Sequence, residues 1–203
     1  MRTPPQATLV LLLTAAGCTD PQARYDAFLE RSAEMRAGDA GTIQPGERFD
    51  FSGSYLAALS ITIDPSQPIL LGAEVSVASD LSSLDLTFQP LSTDRDPQPR
   101  MPVGESFGVD DIAYSAEGTF QAELGEVTVP GRANPISGSD IVATVTISAS
   151  ARQGAGDEPD LFCGQVSGMA RVPIALDLTG SSMGAVAAES FSGVEPITRC
   201  PSD

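Results

Sequence analysis

From Ser52 onward, apolar residues recur at every second position in short runs, and no run between them repeats at the helical period. Side chains of a strand alternate between its two faces, so this spacing gives each segment one face for a core and one for solvent. Tyr55, Ala57, Leu59, Ile61 and Ile63 form the first such face, with Ser60 and Thr62 opposite. After the turn Asp64-Pro65-Ser66-Gln67-Pro68 come Ile69, Leu71, Ala73, Val75 and Val77, and the two runs together predict an antiparallel hairpin. Leu84, Leu86 and Phe88 predict a third strand, Phe120, Ala122 and Leu124 a later one, and Val127 with Val129 another. Ile141, Ala143, Val145 and Ile147 alternate with Val142, Thr144, Thr146 and Ser148. Val172, Ile174, Leu176 and Leu178 predict a late strand beginning beside Pro173, which suits an edge or a strand end.

Short alternating strands without intervening helices belong to antiparallel architectures. The expected fold is mainly β: an antiparallel β-sandwich of jelly-roll or immunoglobulin-like character, preceded by one N-terminal helix. A lipocalin-like β-barrel would carry the same strand pattern around an interior cavity, and periodicity does not separate the two. The helix is expected over Pro21 to Ala37, with Asp20 as N-cap, proline at the first position and Gly38 just past the end. Tyr25, Phe28, Leu29 and Ser32 share one of its faces, which Met35 extends. A chain of 203 residues, part of it a tether, fits one core. The expected division is 1–17 as leader, 18–46 as anchor, helix and linker, and 47–203 as a single β domain.

Composition removes whole classes of chemistry. The formal charge of −16 repels nucleic acid and anionic head groups, so nucleic acid is not an expected partner. There is no His and no Trp, and all eleven basic residues are Arg. A Ser-His-Asp triad, a Cys-His pair, a His-ligated zinc, a Schiff-base lysine and a P-loop each need a residue that is missing. Carboxylate-only chemistry, such as a glycosidase pair of Asp or Glu, is not forbidden, although clefts of that kind stack sugars on aromatic rings that are sparse here. No catalytic residue, cofactor or metal ligand is therefore assigned, and an enzyme is not expected.

Three local features invite a functional reading, and each has a structural one. Acidic residues at Asp94-Arg95-Asp96, Asp110-Asp111 and Asp157-Glu158-Pro159-Asp160 lack the ligand spacing of a calcium loop and read as solvated, charged loops. Gly180-Ser181-Ser182-Met183-Gly184 does not place its serines in G-x-S-x-G and reads as a turn after the strand ending at Leu178. Cys163-Gly164 and Gly168 mark close approach of a strand to another backbone, as at a bulge.

The N-terminus has Arg2, then the apolar run Leu9-Val10-Leu11-Leu12-Leu13-Thr14-Ala15-Ala16-Gly17, then Cys18. The run is too short to span about 30 Å of hydrocarbon. The pattern resembles the signal peptide and lipobox of bacterial lipoproteins, with Ala15 where a larger aliphatic is usual. The resemblance implies cleavage before Cys18, a diacylglycerol on its thiol and an acyl group on its new amino end. Ala15 and Gly17 also suit an ordinary signal peptidase, which would leave Cys18 without lipid. With Thr19 rather than Asp after the cysteine, the resemblance implies sorting to the outer membrane, so the expected partner is a membrane, reached through the lipid. Asp160-Leu161-Phe162-Cys163-Gly164, together with Asp20-Pro21-Gln22, is similar to segments of uncharacterised envelope lipoproteins of high-GC Gram-negative bacteria, and this likeness carries no function.

In an oxidising envelope compartment the other two cysteines, Cys163 and Cys200, form an even pair expected to bridge. The alternative is two free, buried thiols. The chain-entropy model values a loop of this size at about 4 kcal/mol. The leading functional expectation is a non-enzymatic envelope lipoprotein with a binding or structural role; the alternative is a carrier of small molecules or lipid with a barrel cavity. An apolar cavity favours the carrier.

Overall fold

The computed structural model describes residues 47–93, 100–156 and 158–201. The expected leader, Cys18 and the helix over Pro21 to Ala37 lie outside the described residues, as do Asp94-Arg95-Asp96 and Asp157. The described chain is mainly β. Its strands are β1 (Gly53–Ser60), β2 (Ile69–Val77), β3 (Ser83–Pro90), β4 (Phe107–Ala113), β5 (Thr119–Val129), β6 (Ile141–Arg152), β7 (Leu161–Val172), β8 (Leu176–Asp177) and β9 (Ser181–Ala187). One short 3-10 turn, Gly131–Ala133, interrupts them.

All nine belong to one antiparallel sheet of order β4-β3-β2-β1-β9-β7-β6-β5, with β8 paired to β7. Strands β1 to β4 form one meander and β5 to β7 a second, and β9 returns between β1 and β7 to join them. The two ends of this order, β4 and β5, are consecutive in the chain. They come together again at the turn between them, where Tyr114 pairs with Phe120. The sheet is thus nearly closed into a barrel, with its core inside.

The expected hairpin forms, with Tyr55 opposite Ala73, Ala57 opposite Leu71 and Leu59 opposite Ile69. Strand β1 is nevertheless buried on both faces, since Leu56 and Ala58 are as enclosed as Tyr55 and Ala57. The C-terminal segment supplies the outer cover, with Phe191 lying over Gly72 and Ile197 over Gly184. Arg100 holds this segment by donating from Nη1 to the carbonyls of Phe191 and Val194. The Cys163–Cys200 disulfide ties down its end, with Cα atoms 5.4 Å apart.

Four expectations need correction. Phe120-Ala122-Leu124 and Val127-Val129 are one strand, β5, because a register shift at Glu123–Gly125 inserts a residue. Even positions face the core before the shift and odd ones after it, and the broken parity resembled two strands. No strand runs from Val172 to Leu178: β7 ends at Val172, before Pro173, and only Leu176–Asp177 pairs again. Gly180 to Gly184 is not merely a turn. Its residues from Ser181 begin β9, in the middle of the sheet, and Ser181 and Ser182 are buried. Asp110-Asp111 lies in strand β4, not in a loop. The close-approach reading of the glycines holds, since a Cβ at Gly164 would collide with the Ser148 carbonyl and one at Gly168 with that of Thr144. The register shift in this strand pair falls instead at Val142–Ala143.

Candidate functional site

The interior of the nearly closed sheet is filled differently at its two ends. Phe51 lies at the centre of one end, with ring centroids of Tyr55, Tyr114, Phe120 and Phe162 between 5.4 and 6.3 Å away. Rings at these separations pack edge to face and offset against one another. The Tyr55 hydroxyl donates to the Phe51 carbonyl at 2.7 Å. Burial pushes its ionisation upward, and the nearby Asp160 and Asp50 carboxylates add to this.

At the other end the inward residues are mostly aliphatic, with the Phe88 and Phe107 rings beside them. They enclose a cavity of about 140 Å³. Leu59 of β1, Leu71 of β2, Phe88 of β3 and Phe107 of β4 line one half of its wall. Val127 of β5, Val145 and Ile147 of β6, Val166 of β7 and Met183 of β9 line the other. The period-two pattern puts these residues there: the inward positions that close the opposite end with aromatic rings mostly carry Val, Ile and Leu here. The rim includes Val172 and the exposed Ile63 and Ile174, at 53% and 56% of their free surface. Both belong to connections, Ile63 to the β1–β2 turn and Ile174 to the chain between β7 and β8.

No Asp, Glu or Arg lines the cavity. Its two polar side chains, Asn134 and Ser137, satisfy one another and the local backbone. Asn134 Nδ2 donates to Ser137 Oγ at 2.8 Å and to the Ser139 carbonyl at 2.7 Å, while its Oδ1 accepts from the Ile136 and Ser137 amides. The surface facing the cavity is therefore almost wholly apolar, and an apolar cavity of this kind favours hydrocarbon over water.

Charges sit outside the rim. Asp64 follows Ile63, and hydrogen bonds from Ser66 and Gln67 hold its carboxyl below the usual range. Asp177 follows Leu176 and is lowered by the Thr179 amide. Arg171, just before Val172, is paired with Glu126 at 3.1 Å.

Cys163 and Cys200, expected to bridge, are bonded on the outer face, where Cys163 is fully enclosed. Among the described residues no group of three or more His, Cys, Asp or Glu could hold a metal ion. The pocket was not assigned from sequence, although a barrel cavity was one alternative. The available signal was the contrast between aromatic inward positions at one end of the strands and β-branched ones at the other. No family model, curated protein or solved structure matches this chain.

Proposed function

We propose that this is a lipid-anchored envelope protein whose β domain is a barrel that binds an apolar group in its open end. The observation carrying the binding reading is the cavity itself: about 140 Å³, walled by apolar and mostly aliphatic side chains, with the Asn134 amide already held by its neighbours. Pockets that take small apolar ligands have this character. A core selected only for stability gains from filling such a void, since unfilled volume costs roughly 24 cal/mol per Å³. The continuous nine-strand order and the Tyr114–Phe120 bridge between its ends favour the barrel over a two-sheet sandwich. The anchor rests on the apolar run before Cys18. Between the sequence-level alternatives, the cavity favours the carrier over a purely structural role.

Toluene titrated into the purified protein, followed through side-chain methyl NMR shifts, tests the binding reading. The expected result is saturable shifts at Val145, Ile147 and Leu176, with Val75 and Leu84 at the aromatic end unmoved. Shifts that are absent, or spread evenly over both ends, would overturn it. The anchor is tested separately by the intact mass of membrane-extracted protein, expected to begin at an acylated Cys18.

A further inference from the structure

Taking the apolar-pocket reading as given, the dimensions and surroundings of the site define what enters it. An engineered apolar cavity of roughly 150 Å³ takes up benzene, so about 140 Å³ holds on the order of six carbon atoms. A whole lipid does not fit. The apolar path does not stop at the cavity, because Ile63, Val172 and Ile174 continue it to the surface and remain exposed. A compact hydrocarbon would fill the interior and leave this rim uncovered, whereas a chain covers both. Inside, the lining is almost wholly apolar and the Asn134 amide is engaged by Ser137, Ile136 and Ser139, so a polar terminus brought in would lose its hydrogen bonds to water with little to replace them.

The rim also constrains the other end of the molecule. Ionised carboxylates of Asp64 and Asp177 stand next in the chain to the lining residues Ile63 and Leu176, and Arg171 is engaged by Glu126. The whole chain is strongly acidic besides. An anionic head group at this mouth meets repulsion with no unengaged cation in the wall to offset it.

We infer that the cavity receives the methyl end of an alkyl chain, about six carbons deep, from an amphiphile whose head group is uncharged or cationic and stays outside the rim. This rests on the apolar-pocket reading but goes further, in ligand class and orientation.

Calorimetric titration of the purified chain in detergent-free buffer with 1-alkanols from butanol to decanol tests it, beside benzene, 1,6-hexanediol, hexylammonium and hexanoate. Affinity should rise about fourfold per methylene up to about hexanol and then flatten. The diol, which must bury a hydroxyl, should bind about tenfold more weakly than 1-hexanol. Hexylammonium should bind at least as well as 1-hexanol, and hexanoate several-fold more weakly. Benzene binding without any dependence on alcohol length, or a diol equal to 1-hexanol, would overturn end-on insertion while leaving the apolar pocket standing. Hexanoate as tight as 1-hexanol would overturn the head-group assignment. If neither benzene nor any alcohol bound, the pocket reading itself would fall.

Discussion

Ile197 lies so close to Gly184 that a Cβ on residue 184 would stand 2.7 Å from the Ile197 carbonyl oxygen and 2.9 Å from its Cγ1. Strand β9 is central, between β1 and β7, so the clash cannot be relieved by moving the strand. The C-terminal segment would have to lift. Gly184→Ala is expected to cost about 1–3 kcal/mol, the usual range for overpacking. Urea unfolding should show a lower midpoint with an unchanged slope, and an unchanged midpoint would mean the segment does not rest on the sheet here.

The same segment ends at the disulfide. Replacing Cys163 and Cys200 together by Ala should remove about 4 kcal/mol of stability, the value the chain-entropy model gives the closed loop. Arg100 still holds the Phe191 and Val194 carbonyls, so the sheet should survive with its far-ultraviolet dichroism intact. Equal denaturant midpoints for the variant and the parent would contradict this.

Tyr55 makes the fold sensitive to alkali. Its ionisation is raised by burial first and by Asp160 and Asp50 second. An unfolded tyrosine loses its proton near pH 10, and the folded one holds it to higher pH. The stabilisation is therefore fully present below about pH 10 and declines as pH rises beyond it. Tyr55→Phe should flatten this decline, leaving the part due to Tyr114, which burial also raises. At neutral pH the variant should cost about 1–3 kcal/mol, because the Phe51 carbonyl loses its donor. Stability curves of the two proteins from pH 7 to 11.5 provide the check, and parallel curves would rule out the assignment.

Ser150 pairs with Cys163 across β6 and β7, is fully buried, and its hydroxyl has no hydrogen-bond partner among the described residues. A buried hydroxyl without a partner opposes folding. Ser150→Ala should therefore be neutral or stabilising by up to about 1 kcal/mol in thermal unfolding. A loss above 1 kcal/mol would reveal an engaged hydroxyl.

Much of the fold was legible because strands with one buried face write their period into the chain. The β1–β2 hairpin, the inward face of β3 and the alternation in β6 lie where expected, except that β1 stops at Ser60 and leaves Ile61 and Ile63, expected in the strand, to the turn. Reading failed where the pattern carried a second constraint. The extra residue at Glu123–Gly125 switched parity in the middle of β5, and Asp110-Asp111 hid β4 because an edge strand can expose both of its faces. Strand β9 looked like a turn, yet Gly184 is small for a packing reason: Ile197 of the C-terminal segment covers the outer face there. The disulfide was legible from cysteine parity. The pocket was not, since Val127, Val145 and Val166 read equally well as filled core, and whether facing side chains meet depends on barrel geometry that no local pattern encodes.

The most direct test of the central claim, that the aliphatic end of the barrel is an accessible apolar pocket, is a crystal of the protein pressurised with xenon. Apolar cavities of this size bind xenon and stay dry. A xenon peak surrounded by Val145, Ile147 and Leu176 is expected, its occupancy abolished when Ala143→Leu fills the wall. Ordered water in that space, or no density there at any pressure, would contradict it.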